Sequence, residues 1–223
     1  MESLRKKGDE QDQVFHFRSK RNLIYVGGIS PMRGLEVAIK GIYEVNIKNS
    51  DFTFKLDIYG DGKPGYLQFL NDQISELQLE GLVTLKGKIK LPAKGNALED
   101  YDIGVVPHLK SVQTDYSSPN KLYQYLFYGL PVLSSNCKSL ARVIEESNAG
   151  LVYMHNDPED FSKKLSELVL RIKKDQYASA SIHETISTRY HWQFSEHALL
   201  RLYQLLSKRP RLDRSGLFPG QGN

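Results

Sequence analysis

Short apolar runs alternate with helical patterns along the chain between about residues 22 and 208. Six of these runs predict buried strands, because they are apolar at successive positions and are bounded by glycine, proline or polar residues. They are residues 22–28, 54–62, 82–87, 102–107, 130–135 and 150–155. Since a longer segment with a different pattern separates each run from the next, the order favours strand–helix–strand units over hairpins.

The segments between these runs repeat apolar residues at intervals of three and four, which predicts one buried face on each helix. The first two faces carry Leu35, Ala38, Ile42 and Val45, and then Leu67, Leu70, Ile74 and Leu77 after Pro64. Further helices are predicted at about 92–100, 119–128, 138–147, over Phe161–Ile172 and at about 175–207. Strands that are apolar on both faces need helices on both sides of the sheet. The sequence therefore predicts a doubly wound, Rossmann-like α/β domain with a parallel sheet of about six strands and C-terminal helices.

The two ends of the chain lack this alternation and define the predicted domain limits. Residues 1–21 are polar and charged, and we interpret them as a disordered or linker-like lead. Residues 209–223 are interpreted as a flexible tail. The Rossmann-like domain is predicted over residues 22–208.

Composition and charge narrow the class of protein. Of the 223 residues 40% are hydrophobic, enough for a core, and the net charge of +4 is too small to indicate nucleic-acid binding. The basic segments "RKK", "RSKR" and "SKRPRLDR" are either solvated ends or a means of attraction to an anionic membrane surface. Cys137 is the one cysteine, so no intrachain disulfide forms and a reducing compartment fits. No apolar run approaches the roughly 20 residues of a spanning helix, so we expect a cytoplasmic protein, with peripheral contact at the inner membrane face left open.

Glycines and cations follow the ends of several predicted strands. Gly28 and Arg33 come after the first strand, Gly60 after the second and Lys88 after the third. Because the carboxyl ends of parallel strands meet at one edge of the sheet, we expect these residues to lie together. A helix predicted to begin near residue 119 brings free N–H groups and a partial positive charge to the same edge. With Lys121 as a further cation, this chemistry indicates a phosphorylated ligand.

Other interpretations of these signals stay open. Glycines after strands often serve only as turns, and "GGISPMRG" matches neither the dinucleotide fingerprint nor a P-loop. The Asp-x-Asp of "EDYD" (99–102) invites a metal site, but acids at a helix–strand junction are usually caps or solvated, so we expect no metal. His108 lies at a strand end, where it either meets a ligand or is simply buried. Neither the histidines nor Cys137 show the spacing of a metal or nucleophile site.

Six stretches occur in the order of a known family: "YVGGISPMRGLEVAIKG", "LDIYGDG", "VTLKGKI", "DIGVVP", "SSPNKLYQYLFYGLPVLSS" and "NAGLVY". Over about residues 22–207 the chain resembles the C-terminal, nucleotide-sugar-binding half of a GT-B glycosyltransferase of the family 4 (group 1) type. The resemblance implies a retaining transfer of a sugar from a UDP-, GDP- or ADP-sugar donor, without a metal or other cofactor. It implies an acceptor in polysaccharide, lipopolysaccharide or glycolipid synthesis.

The resemblance also implies which residues meet the donor. The pyrophosphate is expected on the helix that begins near Pro119 and against Arg33, and the base beside Lys88 and Ile89. The full set of candidate donor-binding residues is Gly28, Arg33, Gly60, Lys88, Ile89, Ser118, Asn120, Lys121, Leu122 and Gln124. No catalytic residue is assigned.

Three positions depart from the family pattern. Gly28 stands where many members carry a second basic residue. The Glu-x7-Glu motif of many members would fall on Tyr116 and Gln124, and the neutral amide of Gln124 is a weaker acceptor for ribose than a carboxylate.

A complete GT-B enzyme has a second, N-terminal domain that supplies the acceptor site, and this chain does not match it. We therefore expect a partner domain, in the same longer chain or in a second one, and little activity from this chain alone. The alternative is a degenerate, non-catalytic interaction module or a subunit of a split transferase. Half of a sugar-nucleotide epimerase fits less well, because the acids and histidines of such enzymes are not apparent.

Overall fold

The computed structural model describes residues 20–48, 51–89, 98–177, 179–190 and 192–207. One sheet contains the strands Lys20–Val26 (β1), Thr53–Tyr59 (β2), Val83–Gly87 (β3), Ile103–Val106 (β4), Val132–Ser135 (β5) and Gly150–Tyr153 (β6). All neighbours in the order β3-β2-β1-β4-β5-β6 run parallel. The predicted doubly wound parallel sheet is therefore confirmed.

Helices connect the strands and continue after the last of them. They are Leu35–Lys48 (α1), Pro64–Glu76 (α2), Val112–Tyr116 (α3), Asn120–Phe127 (α4), Lys138–Ser147 (α5), Pro158–Lys173 (α6), Ser179–Arg189 (α7) and Trp192–Ser207 (α8). A 3-10 turn, Pro31–Arg33, links β1 to α1. The described part of the chain contains no helix with the length and apolar character needed to cross a bilayer.

Helix α3 lies between His108 and Asn120, where the sequence predicted no helix. Ser111 caps this helix, because its hydroxyl accepts the Thr114 N–H at 3.1 Å and its own N–H donates to the Thr114 hydroxyl at 2.7 Å. The reciprocal pair satisfies two N–H groups that a helix start otherwise leaves unpaired. The helix is five residues long.

The predicted boundaries also need correction at two places. Strand β1 begins at Lys20, so the lead predicted over residues 1–21 is two residues too long; residues 1–19 lie outside the described residues. Of the helix predicted at about 92–100, residues 98–100 form a turn and residues 92–97 lie outside the described residues, as does the tail 209–223.

The core lies on both faces of the sheet. All four residues of β4 and all four of β5 are buried, as a parallel sheet between two helical layers requires. Helices α1 and α6 pack against each other at Gly41, where an added Cβ would lie 2.2 Å from the Phe161 ring. This contact holds a helix from the β1–β3 half of the sheet against a helix from the β4–β6 half.

The strand order places a crevice between β1 and β4. From β1 the chain moves outward through β2 to β3, and it then returns to the other side of β1 to begin β4. In sheets of this kind, ligands bind at the carboxyl ends of the strands where the order reverses. The residues after β1 and β4 therefore define the candidate site.

Candidate functional site

Glycine loops after β1, β2 and β3 meet at the carboxyl edge of the sheet. The Gly27 N–H donates to the Tyr59 carbonyl at 2.9 Å, and the Gly60 N–H donates to the Gly87 carbonyl at 2.8 Å. A Cβ at Gly60 would lie 1.9 Å from the Gly27 oxygen, so no larger residue fits there. Gly60 therefore allows the backbones that follow β1 and β2 to lie in direct contact.

Gly34 fixes the turn that carries Arg33. Its backbone adopts a left-handed conformation with φ of 63°, and an added Cβ would lie 2.0 Å from the Pro107 oxygen. Glycine is the residue that accepts both conditions without strain. The loop after β1 is thus held against the loop after β4, and Arg33 reaches His108.

Arg33 and His108 form a hydrogen-bonded pair, with Arg33 Nη1 3.2 Å from His108 Nε2. Because a guanidinium can only donate, Nε2 accepts and the ring proton lies on Nδ1. His108 is completely buried, and this burial, with the charges of Lys121 and Arg33, lowers its pKa to about 3. Its Nδ1 has no hydrogen-bond partner among the described residues. The histidine is therefore neutral and holds one unpaired donor.

Lys121 brings a buried amine to the same edge. Its side chain is 8% exposed, and its Nζ lies 3.5 Å from the centroid of the Tyr25 ring and beside Gly27, where an added Cβ would approach to 2.8 Å. Nζ makes no hydrogen bond within the described part of the chain. Burial first, and then the charge of Arg33, lowers the pKa of Lys121 to about 6.

The first turn of α4 lies next to these cations. The Leu122 side chain is buried and its N–H donates to the Pro119 carbonyl at 3.1 Å. The N–H groups of Asn120 and Lys121 are thus the ones that helix geometry leaves without a partner inside the helix. They carry the positive end of the helix dipole, which suits an anion.

Two further predicted residues, Ser118 and Gln124, lie on the exposed rim of the edge. The Ser118 hydroxyl is 2.7 Å from the hydroxyl of Tyr123. Gln124 is one turn into α4, and its side chain makes no hydrogen bond among the described residues. Gln124 is exposed, and its contact with a ligand stays a prediction.

Lys88 and Ile89 lie at the β3 end of the edge, outside the group formed by Arg33, His108 and Lys121. Lys88 Nζ forms an ion pair with Asp61 Oδ2 at 2.7 Å, and both side chains are exposed. The hydrogen bond of this pair raises the pKa of Lys88 and lowers the pKa of Asp61. Gly28 is exposed, and an added Cβ there would meet nothing within 4 Å.

The Asp-x-Asp sequence that suggested a metal lies at the opposite edge. Asp102 accepts the Asn22 N–H at 2.8 Å and pairs with Arg21 at 3.0 Å, so it anchors the start of β4. Arg21, which the sequence placed in a basic lead, is in fact 8% exposed. No group of three or more metal-ligating His, Cys, Asp or Glu residues occurs among the described residues. That the ligand needs no metal stays a prediction.

The sequence did not single out Tyr25. Its ring lies under Lys121, and its hydroxyl donates to the Gly28 carbonyl at 2.7 Å. A tyrosine inside an apolar strand is read as core, and the partner that reveals its role lies 96 residues further along the chain. The spacing of residues within one segment of the sequence does not indicate a contact with a distant segment.

Comparison with known proteins finds relatives that are named for colanic acid and amylovoran biosynthesis. The putative colanic acid biosynthesis glycosyltransferase WcaL of Salmonella typhimurium is 24% identical over 187 residues, covering 82% of this chain and 45% of that protein. The amylovoran biosynthesis glycosyltransferase AmsK of Erwinia amylovora is 23% identical over 180 residues, with 80% and 42% covered. The chain thus spans less than half the length of these curated relatives.

Solved structures share the fold at low identity. TarM of S. aureus superposes with a TM-score of 0.70 at 20% identity, covering 85% of this chain and 36% of that one. The C-terminal domain of the group 1 glycosyl transferase LpcC from Francisella tularensis gives 0.58 at 15% identity, with 76% and 86% covered. The fold is that of one half of a GT-B glycosyltransferase. The sequence pattern that describes "Glycosyl transferases group 1" matches residues 20–171, and the chain belongs to that family.

Proposed function

We propose that this domain binds a nucleotide-diphosphate sugar and is the donor half of a retaining glycosyltransferase. The proposal is based on the position of Arg33 and Lys121 at the carboxyl edge of the sheet, between β1 and β4 where the strand order reverses. Lys121 belongs to the first turn of α4, and Arg33 lies beside that turn. Two cationic side chains and a free helix N-terminus together favour a diphosphate. TarM and HepE of Anabaena share the fold and were solved with UDP, which supports a nucleotide ligand.

The test is a calorimetric titration of the chain with UDP, GDP and ADP. Arg33→Ala is expected to weaken binding about ten- to one-hundred-fold, because a hydrogen bond to a charged group contributes roughly 1.5–3 kcal/mol. Lys138→Ala is the matched control, since Lys138 is an exposed lysine at the start of α5 on the same edge. Absence of binding at millimolar nucleotide, or equal affinities for Arg33→Ala and wild type, would overturn the proposal.

The complete reaction needs an acceptor site that we propose lies on a second domain, in the same longer chain or in a partner chain. The chain alone is then expected to show little or no transferase activity. The names of the relatives support an acceptor in polysaccharide synthesis.

Retention of the anomeric configuration is tested with the full transferase by NMR of the product, where an inverted anomeric configuration would contradict it. Equal donor affinity in EDTA and in Mg²⁺ is expected if no metal is needed.

Peripheral contact with an anionic membrane remains a proposal that rests on the basic segments at both ends of the sequence. Most of those residues lie outside the described ones, and Arg21 is removed from the set because it is buried against Asp102. Co-sedimentation with vesicles tests the idea. Binding that does not depend on anionic lipid would exclude an electrostatic contact.

A second candidate function is a partner-binding subunit without donor affinity. The observation that favours it is a set of exposed apolar side chains on α8, together with a neutral Gln124 at the predicted ribose position. The set is Leu199, Leu200, Leu202, Tyr203 and Leu205. This candidate predicts a stable chain that associates with a partner and binds no nucleotide in the titration above.

A further inference from the structure

The buried Lys121 lies among basic and aromatic side chains, and no carboxylate acts on it within the described part of the chain. Its position in the first turn of α4 is surrounded by three side chains. They are Tyr25 from β1, Arg33 from the turn before α1 and His108 from the loop after β4. The charge of Arg33 acts on both Lys121 and His108, and the charge of Lys121 also acts on His108. Two polar atoms, Lys121 Nζ and His108 Nδ1, are buried without a partner among the described residues.

A buried ammonium ion needs a counter-charge or several hydrogen bonds to offset its lost hydration. Lys121 Nζ has a tyrosine face on one side and the guanidinium of Arg33 nearby, and the second of these opposes a positive charge. The amine is therefore neutral while the site is empty of anions. A diphosphate beside Gly27 would reverse this balance, because its charge stabilises the ammonium form.

We propose that Lys121 is the second cation of the donor diphosphate site and that it takes up one proton from solution as the donor binds. The amine gains the proton to become an ammonium, which then donates to a phosphate oxygen. In the family pattern a basic residue at position 28 contacts the diphosphate. Here Lys121 takes this role from α4, and its amine can reach the site because Gly27 has no side chain. This inference rests on the proposed function, since it needs a bound donor.

Proton uptake fixes the direction of the pH dependence. Above the pKa of Lys121 in the free protein, about 6, binding must recruit a proton that becomes scarcer as the pH rises. The affinity therefore falls with increasing pH, at most tenfold per pH unit, until the pKa of the bound form is reached. Tyr25, whose pKa burial raises, stays neutral over this range. His108 is the other group that can accept the proton.

The experiment is calorimetry with UDP-glucose, GDP-mannose and ADP-glucose, whose diphosphates carry no titrating proton near neutral pH. Titrations at pH 7.5 in three buffers of different ionisation enthalpy give the number of protons taken up. Wild type is expected to take up about one, and Lys121→Met about none. Lys121→Arg, a cation that does not titrate, is expected to bind without uptake. Between pH 6.5 and 8.5 the wild-type affinity falls about ten- to one-hundred-fold, while that of Lys121→Met stays constant.

Lys138→Met is the matched control, because Lys138 also begins a helix over a tyrosine ring, at 5.8 Å from Tyr116, but is exposed. It is expected to keep the uptake of one proton. Lys121→Met should unfold at a higher temperature than wild type, since it removes an unpaired buried amine, and this shows that the variant is folded. Uptake that persists in Lys121→Met but disappears in His108→Gln would overturn the inference, as would zero uptake by wild type. Absence of binding by wild type to every probe would overturn the proposed function and this inference with it.

Discussion

Lys121 and Gln124 lie one turn apart on α4 and have opposite environments. The buried positions of this helix are 121, 122, 125 and 126, so Lys121 belongs to the apolar face and Gln124 to the exposed one. On an isolated helix a lysine at such a position would extend its amine to water. Here the amine lies over Tyr25. The position of each residue on the helix therefore decides that Lys121 is buried, at the proposed phosphate contact, and that Gln124 is exposed, at the proposed ribose contact.

The exchange Gln124→Glu tests the predicted ribose contact. A carboxylate accepts a hydroxyl hydrogen bond more strongly than an amide oxygen, so we expect nucleotide-sugar binding to tighten by up to about tenfold, or roughly 1.4 kcal/mol. Calorimetric titration of both proteins with the same nucleotide sugar measures the change. Gln113→Glu makes the same exchange at an exposed position on the neighbouring helix α3 and is expected to leave the affinity unchanged. Equal or weaker binding by Gln124→Glu would mean that the ribose lies elsewhere.

At the scale of elements, the strands were the most predictable features. A strand buried on both faces appears in the sequence as a continuous apolar run, and β4 and β5 occur where such runs predict them. The start of β1 was missed because Lys20 and Arg21 are charged. Arg21 is nevertheless buried, since its guanidinium finds Asp102, 81 residues away, and the ring of Phe52 at 5.5 Å.

The candidate site was predictable in position but not in its electrostatics. Strand ends indicated Arg33 and Lys121, because the carboxyl edge of a parallel sheet is where ligands bind. The short distance from Arg33 to His108 depends on Gly34 packing against Pro107, which is a contact between two loops. Whether a lysine is hydrated or buried is decided by such contacts, and a single sequence does not record them.

The interface between α1 and α6 depends on the absence of a side chain at Gly41. A Cβ there would lie 2.2 Å from one carbon and 2.7 Å from another of the Phe161 ring, and that ring is fully buried. Phe161 in turn packs edge-on against Tyr153, with ring centroids 5.1 Å apart. A ring held on two sides cannot move aside without displacing its neighbours.

Gly41→Ala is expected to destabilise the protein although alanine favours a helix. The gain in helix propensity is about 1 kcal/mol, and overpacking of a core ring costs about 1–3 kcal/mol or more, so the net free energy of unfolding should fall. Gly65→Ala, in α2, is the control, because its Cβ would meet nothing within 4 Å. It should leave stability equal or up to about 1 kcal/mol higher. Urea unfolding of both variants decides the point; a Gly41→Ala protein as stable as Gly65→Ala would contradict the packing described.

At the scale of the whole molecule, the carboxyl edge of the sheet gathers the candidate site, and the described chain leaves this edge accessible. Gly28, Asn120 and Gln124 are all exposed there. A second domain facing this edge would exclude water from the donor, and exclusion of water strengthens each charge–charge contact. This is the physical reason for expecting binding, but little turnover, from the donor domain by itself.

The order of the strands has a consequence for how the chain can be divided. Strands β1, β2 and β3 occupy one side of the sheet and β4, β5 and β6 the other, so the chain crosses between the two sets once, between Gly87 and Ile103. A protein cut in that connection would yield two fragments that each keep three adjacent strands. The halves are joined by the ladder at Leu23–Ile103 and Ile24–Gly104, by the contact of Gly41 with Phe161, and by the loop and side-chain contacts described above, such as Arg21 with Asp102.

We therefore expect residues 1–92 and 93–223, produced as separate chains in one cell, to purify as a complex that binds nucleotide. Each fragment alone would expose an unpaired strand edge and an uncovered helix face, and should be insoluble or unfolded by circular dichroism. Two fragments that fold separately and ignore each other would refute this. The domain would then be a protein that can be encoded by two genes, and nucleotide binding would report that β1 and β4 have paired between two separate chains.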